Sequence, residues 1–431
     1  MRELLLGLTV SLLCSCAGTP PVGKPSPAVG VPSLQVHFDS ATAAAALRWE
    51  RAAAPGFLRY EVQRADGGQY ATLAQVDSRD DTSLVDSGLR ADLGYRYRVV
   101  AHFGEGDRLL HSVASTVVEG GIHRFLITWE VSQGFLPTRL LVDPRGVVSV
   151  VGAGSGRVER FDRAGHSLGS WEFAPSSPAC LETGALDAPV VALDSKGNLY
   201  VAYNRLKTGQ PPRPYWSKFD PDGRLVWARP LEGLFVRHLA IDPGDRVFVE
   251  ALSLIQEFDT AGTRLAQHRV PALLVSSLRF WGGHFAALVE PLAFVESGWQ
   301  APRLVIYGDA ARSRAELVIG RDPLSPEDHG NGLLQRPSDF AVDEATSRAF
   351  VVNAGQNRVA VFREGAFLTE WGAEGKAEGA FRFAGKATVV ADMATGQTEV
   401  RQVVSGGIAC DPEGYVYVAD TFNNRIQKFQ P

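Results

Sequence analysis

Apolar positions in the C-terminal part of the chain recur in short, strand-length runs rather than at helical spacing. One unit repeats six times between residues 137 and 430. It consists of an apolar strand, a turn such as Asp143-Pro144-Arg145-Gly146, a second apolar strand, and a third strand that ends on an aromatic residue. Asp caps such a turn with its own side chain and Gly accepts the positive φ. The pattern predicts an all-β chain built from repeats.

The length of the repeat, roughly 40–50 residues, and its strands-only make-up predict a β-propeller, in which each blade buries its faces against its neighbours. We predict six blades in residues 123–431. The sixth repeat lacks an outer strand, and residues 125–130 resemble residues 367–371, the outer strand of the fifth blade. We therefore predict that this N-terminal strand completes the last blade and closes the ring, which removes exposed sheet edges.

The last repeat is the clearest, with Tyr415-Val416-Tyr417-Val418-Ala419-Asp420 and Asn424-Arg425-Ile426-Gln427-Lys428-Phe429. These segments resemble NHL repeats, and the resemblance spans residues 123–431. The fourth blade departs from it, because Phe280-Trp281-Gly282-Gly283 replaces the usual Asp turn. The resemblance implies a six-bladed propeller and leaves the activity open, since propellers carry many unrelated functions.

Residues 34–118 show short alternating runs at 45–49, 59–64, 70–76, 95–103 and 112–118, the strand density of an antiparallel sandwich. Trp49 and Tyr60 are expected between its two sheets. Residues 89–99 resemble the tyrosine-corner segment of fibronectin type III domains, which implies that the Tyr95 hydroxyl bonds to upstream backbone. A different immunoglobulin-like topology is the alternative. The predicted fold is thus a fibronectin type III-like β-sandwich followed by a six-bladed β-propeller.

Residues 1–15 have the features of an export signal, because Arg2 precedes an apolar stretch too short to span a bilayer permanently. Leu13-Cys14-Ser15-Cys16 resembles the bacterial lipobox, which implies cleavage before Cys16 and lipidation of that residue. An ordinary signal peptide is the alternative. Residues 16–33 form a Pro-rich tether. These features predict a lipid-anchored, extracytoplasmic location in the bacterial cell envelope, at the outer membrane or cell surface.

Charge and motifs narrow the function classes. The net charge of −5 argues against a general nucleic-acid binder, which needs a cationic surface. The sequence has no P-loop, G-x-S-x-G elbow or H-E-x-x-H motif, and we predict no cofactor. An exported compartment permits a disulfide between Cys180 and Cys410. The alternative is that both are small buried apolar residues.

The long insertions follow second strands or connect blades, and both kinds of connection share one face of a propeller. We call it the loop face and the opposite one the turn face. Function tends to lie on such loops, and aromatic and Arg side chains are enriched among interface hot spots. Loops 204–214 and 290–302 therefore supply candidate partner-binding residues on this face, namely Arg205, Lys207, Arg213, Phe294 and Trp299.

The inner strands begin on the loop face. Strand alternation directs Arg139, His238, Arg279 and Asp339 toward the central channel, where they could form a polar mouth for a small anion or peptide group. The alternative is a solvated channel with paired charges. A metal needs three or four convergent ligands, and this set falls short. We therefore assign neither a metal site nor a catalytic residue.

Together these features predict a monomeric, surface-anchored binding scaffold for a protein, peptide or glycan. It would contact the membrane only through its lipid anchor and would bind no nucleic acid. The alternative is an extracytoplasmic propeller enzyme of the lyase or lactonase class that uses the channel mouth.

Overall fold

The computed structural model describes most of the chain beyond the predicted tether. The described residues are 32–39, 42–66, 69–90, 95–106, 108–120, 123–153, 156–173, 189–207, 210–232, 236–251, 254–270, 274–290, 301–323, 330, 332–392 and 397–430. Their regular structure is almost entirely antiparallel β, and within them the helical elements are two 3₁₀ turns, Ala354–Gln356 and Thr421–Asn423. None of the described helical segments has the length and apolarity to cross a membrane. Cys16 and Cys180 lie outside the described residues.

The first eight strands form two antiparallel sheets. One has the order β1-β2-β5 and the other the order β4-β3-β6-β7, with β8 also paired to β6. The strands are β1 (Leu34–Asp39), β2 (Ala44–Trp49), β3 (Phe57–Ala65), β4 (Ala71–Val76), β5 (Ser83–Ser87), β6 (Tyr95–Glu105), β7 (Arg108–Ala114) and β8 (Val118–Gly120). The alternating runs in the sequence did not predict β1 and β5, which flank β2 on either side.

One apolar core lies between these two sheets. Trp49 and Tyr60 are buried in it, with ring centroids 5.5 Å apart. The Tyr95 hydroxyl accepts a hydrogen bond of 2.7 Å from the backbone N–H of Arg90, the bond expected of a corner tyrosine. The kinship with fibronectin type III domains stays a prediction.

The rest of the chain is a β-propeller. In the described residues it contains six four-stranded antiparallel sheets, which we number as blades one to six. The strands of blades one to three are β10 (Pro137–Val142), β11 (Val148–Gly152), β12 (Arg157–Phe161) and β13 (Ser167–Glu172); β14 (Val190–Leu193), β15 (Leu199–Lys207), β16 (Gln210–Phe219) and β17 (Leu225–Pro230); β18 (His238–Ile241), β19 (Val247–Ala251), β20 (Leu254–Phe258) and β21 (Arg264–Arg269).

Blades four and five follow in the same order, and a two-stranded hairpin separates blade five from blade six. The strands are β22 (Leu274–Trp281), β23 (His284–Glu290), β24 (Arg303–Tyr307) and β25 (Ala315–Ile319); β26 (Asp339–Asp343), β27 (Arg348–Asn353), β28 (Arg358–Arg363) and β29 (Ala366–Trp371); the hairpin β30 (Ala384–Asp392) and β31 (Gln397–Val404); and β32 (Gly407–Cys410), β33 (Val416–Asp420) and β34 (Arg425–Phe429), joined in blade six by β9 (Phe125–Glu130). The inner strands β10, β14, β18, β22, β26 and β32 lie side by side, and β32 returns to β10.

The N-terminal strand β9 closes the ring. It pairs antiparallel with β34, with Trp129 opposite Ile426. The Trp129 ring covers Gly165 in blade one so closely that a side chain there would collide with it, and Trp171 covers Gly223 of blade two in the same way. Pairing and packing thus give β9 the position that outer strands occupy in other blades, as the sequence predicts.

Two insertions on the loop face are strands rather than loops. Strands β15 and β16 continue their ladder from Asn204 opposite Pro214 to Lys207 opposite Gln210, and β30 and β31 form the hairpin within residues 372–405. The sequence predicts a loop at residues 204–214 because β16 contains prolines, and this prediction is wrong. Beyond Tyr215, however, β16 pairs only with β15, because its ladder with β17 ends there. Proline has no backbone N–H to donate to a neighbouring strand, but on this side of β16 there is no neighbouring strand to accept such a bond.

Candidate functional site

The structure brings the four predicted channel residues together. Arg139, His238, Arg279 and Asp339 come from the inner strands of blades one, three, four and five, and all four line one cavity of about 320 Å³ in the central channel. This volume lies at the small end of the range for small-molecule sites. We call the end of the channel where the inner strands begin the loop end and the other the turn end.

Asp339 and Arg279 form a tight ion pair at the loop end. Asp339 is fully buried. Nη2 of Arg279 donates to its Oδ2 at 2.9 Å and to its Oδ1 at 3.1 Å. The hydroxyl of Ser277 and the backbone N–H of Ile408 also donate to this carboxylate, at 2.7 and 3.2 Å. These bonds link blades four, five and six, and they neutralise the charge of Arg279.

Arg139 lies differently, because its side chain crosses the channel. Its Nη1 donates to the carbonyl oxygens of Thr138 and Ser338 at 3.3 and 3.5 Å, and its Nη2 donates to that of Ser276 at 3.4 Å. Such distances are long for N–H···O bonds, which centre near 2.9–3.0 Å. Among the described residues no carboxylate forms an ion pair with Arg139. Its guanidinium is therefore a channel cation with only weak neutral partners.

His238 is anchored by a buried ion pair that the sequence reading missed. Its Nδ1 lies 3.2 Å from Oε2 of Glu250, whose Oε1 accepts a bond of 2.6 Å from Nη2 of Arg312. Burial acts to raise the pKa of Glu250, but the hydrogen bond and charge of His238 and the charge of Arg312 outweigh it and hold this pKa below its usual range. The pair fixes the His238 ring at the channel wall.

Glu344, in a turn, and the thiol of Cys410 also line the channel, and one more ionisable group lies near its loop end. Cys410 lines the same cavity, and burial raises the pKa of its thiol, which keeps it protonated and unreactive. Glu290 ends β23, and burial raises the pKa of its carboxyl to about 7 against the opposing charge of Arg336. Neither Cys410 nor Glu290 is recognisable from a motif; Glu290 could have been noticed as the acid that ends a buried strand.

The candidate residues of the loop face are described only in part. Arg213 is exposed on β16, and Arg205 and Lys207 lie on β15, in positions whose side chains are not described. Phe294 and Trp299 lie outside the described residues. Within the described ranges, no group of three or more His, Cys, Asp or Glu side chains is placed to hold a metal ion.

A second cavity, of about 590 Å³, lies where β1 approaches blades five and six. His123 and Trp371 line it with their rings stacked 4.1 Å apart. Burial lowers the pKa of His123 to about 3, so this imidazole is neutral at physiological pH. The buried aromatic wall indicates packing between strands, and Arg358 and Glu370 of the lining form an ion pair with each other.

Comparison with known proteins adds only distant likenesses. No family model matches the chain, and no curated protein matches its sequence. Among solved structures, an auxiliary nutrient binding protein from Bacteroides ovatus is 13% identical over 92% of this chain and 97% of its own, with a TM-score of 0.46. Virginiamycin B lyase from Staphylococcus aureus is 10% identical over 71% of this chain and 98% of its own, with a TM-score of 0.40. These TM-scores lie below 0.5, so the fold assignment rests on strand pairing and these likenesses carry no argument about function.

Proposed function

We propose that the protein is a surface-anchored lipoprotein of the bacterial cell envelope, held through lipid on Cys16, that acts as an extracytoplasmic binding scaffold. Its ligand is a protein, peptide or glycan bound at the loop face, with an anionic group of that ligand in the channel. The observation that carries this proposal is the guanidinium of Arg139, which crosses the channel without an ion-pair partner among the described residues.

The surroundings of Arg139 support an anion rather than a cation as the bound group. Asp339 is neutralised by Arg279, and Glu250 is neutralised by Arg312. The side chains nearest the loop end therefore leave a net positive charge beside buried groups, where a charge-assisted hydrogen bond is strong. The extended hairpin β15–β16 adds exposed Arg213 on the same face.

The same ion pairs favour binding over catalysis. A general base must be within hydrogen-bond reach of the proton that it removes. Both buried carboxylates of the channel wall already accept bonds from arginines that are themselves buried or half-buried. A lyase or lactonase that used either of these carboxylates as its base would have to break one of these pairs, whereas an anion at Arg139 displaces only long bonds to carbonyl oxygens.

The proposal is tested with membrane fractions from cells that express the full chain, probed with labelled acidic glycans and peptides. Wild type is expected in the membrane pellet and should retain a probe there. Arg139→Gln should stay in the pellet, and its affinity for the probe should fall at least tenfold because a charge-assisted contact is lost. Arg269→Gln, the same change at an exposed arginine on β21, is the matched control and should bind like wild type.

Cys16→Ser separates the anchor from the binding site. This variant should move to the soluble fraction and retain its affinity there. If Cys16→Ser stays in the pellet, the lipid anchor is wrong. If Arg139→Gln retains every probe that wild type binds, the channel assignment is wrong.

A further inference from the structure

The cavity that contains Arg139 changes character along the channel. Its loop end is lined by polar groups that include His238 and Asp339, and its turn end by Leu193, Ile241 and Val342. Glu344, in the turn beyond Val342, also borders the cavity, and its Oε1 accepts a hydrogen bond of 3.2 Å from the backbone N–H of Gly282. Between the two ends, small residues such as Ala192, Ala240 and Ala341 line the wall. These alanines and the turn-end residues are neighbours in the sequence, so at about 3.3 Å per residue the apolar wall is about 7 Å long. The cavity is therefore a short apolar tube with Arg139 at its loop end and Glu344 beside its turn end.

Exposure differs between the two ends in a way that indicates how a ligand enters. At the loop end, Asp339, Ser277 and His238 are 0%, 5% and 7% exposed. At the turn end the last residues of the inner strands are half-buried, among them Val342 and Cys410. Solvent thus reaches the lining more readily at the turn end.

Arg139 also obstructs the opposite entrance. Its side chain begins in blade one and its guanidinium contacts the carbonyl oxygens of Ser276 in blade four and Ser338 in blade five. Both of these residues stand at the loop end, next to Ser277 and Asp339 of the cavity lining. The guanidinium therefore spans the channel there, and it presents a positive charge to the tube below.

We propose that the channel binds an aliphatic monocarboxylate of medium chain length, which enters from the turn end. This inference rests on the anion site proposed above and names its ligand class. The carboxylate meets the guanidinium of Arg139, for which its two oxygens are the complementary acceptor. The alkyl chain lies along Ala192, Ala240 and Ala341 toward the turn end and removes apolar surface of both partners from water. A polyanion fits less well, because only one unpaired cation lines the described cavity.

The test is calorimetric titration of the full-length protein in lipid nanodiscs with butanoate, hexanoate and octanoate. Empty nanodiscs give the background for partitioning into lipid. Each added methylene should lower Kd about fourfold, the factor for burying one CH₂ group. Octanol, which has the chain without the charge, should bind at least tenfold more weakly than octanoate. The affinity of Arg139→Gln for octanoate should fall by the same factor, and that of Arg269→Gln should stay at the wild-type value.

A second pair of variants tests the route along the turn end. Cys410→Phe narrows this half of the cavity and should lower the affinity for octanoate at least tenfold. The affinity for butanoate, which stays near Arg139, should change less than threefold. Cys410→Ser keeps the volume and should bind octanoate like wild type. Melting temperatures of all variants show whether each one is folded, and an unfolded Cys410→Phe is replaced by Val342→Phe.

The outcomes separate this inference from the function on which it rests. Equal affinity for butanoate and octanoate, with both lost in Arg139→Gln, overturns the medium-chain ligand and leaves the anion site intact. Octanoate binding that is unchanged in a folded variant narrowed at the turn end overturns the entry route. No binding of any carboxylate or of inorganic phosphate overturns both the inference and the anion site.

Discussion

The two ends of the central channel are built by the same six inner strands and differ in chemistry. At the loop end, Ser277 and Asp339 carry hydrogen bonds from blade to blade, and the Ser338 hydroxyl donates to the carbonyl oxygen of Gly406 at 2.7 Å. At the turn end, apolar side chains such as Ile241 and Val342 meet solvent, and the hydrogen bonds between blades come from the turns beyond them, as from the Ser195 hydroxyl to Asp245 at 2.7 Å. Side chains alternate in the same way along the inner strand of every blade. One polar residue near the start of an inner strand is therefore enough to place a polar group at the loop end of the channel. The repeat supplies the scaffold, and its departures from regularity supply the candidate site.

The largest expected effect comes from removing the buried charge at the loop end. Asp339→Ala leaves Arg279 without its counter-ion and two donors, from Ser277 and Ile408, without an acceptor. Breaking a buried ion pair in this way costs about 3–5 kcal/mol of unfolding free energy. Urea unfolding followed by tryptophan fluorescence measures this loss.

Asp222→Ala is the matched control for that prediction. Asp222 lies on the turn face with 61% of its side chain exposed, so its loss should change the unfolding free energy by about 0.5 kcal/mol or less. Equal losses in the two variants would contradict the view that the loop end ties the blades together.

A smaller effect is expected from the pH dependence of stability near the same end. The pKa of Glu290 in the folded protein, about 7, lies above its ordinary value of 4.5. The folded protein therefore binds more protons at this site than the unfolded chain does between these values, and stability falls as pH rises through this window. The loss should be roughly 2 kcal/mol, since the group is only partly buried.

Glu290→Gln removes the proton that titrates and tests that sign directly. This variant should lose less stability than wild type between pH 5 and pH 8, because its amide stays neutral. Unfolding free energies of both proteins at several pH values measure the difference. A wild-type profile that is flat, or one in which stability rises over this interval and Glu290→Gln does not alter it, would contradict a raised pKa.

The fold could be predicted from the sequence because it depends on a repeated local pattern. The spacing of apolar strands and Asp turns gave the propeller, and the similarity of residues 125–130 to residues 367–371 gave the pairing of β9 with β34. Alternation along the inner strands also placed Arg139 and Asp339 in one channel. Each of these inferences uses only local sequence or a fixed periodicity.

The ion pair behind His238 could not be predicted in this way. Glu250 and Arg312 are 62 residues apart and lie in different blades. Arg312 stands at the fourth position of the turn that begins at Asp309, where most Asp turns of the repeat have Gly, and it keeps the positive φ of that position, at 53°. The depth to which a long side chain inserts between two sheets depends on packing that the sequence pattern does not encode. Phe294 and Trp299, outside the described residues, stay predictions.

The central claim is that Arg139 makes the loop end of the channel an anion site. Crystals of the protein soaked in bromide, with data collected at the bromine absorption edge, test it most directly, because bromide marks sites that accept a small anion. The account predicts an anomalous peak in the channel within hydrogen-bond distance of the Arg139 guanidinium, and no such peak in crystals of Arg139→Gln. Bromide peaks at surface arginines with none at Arg139, or a channel peak that persists in Arg139→Gln, would contradict it.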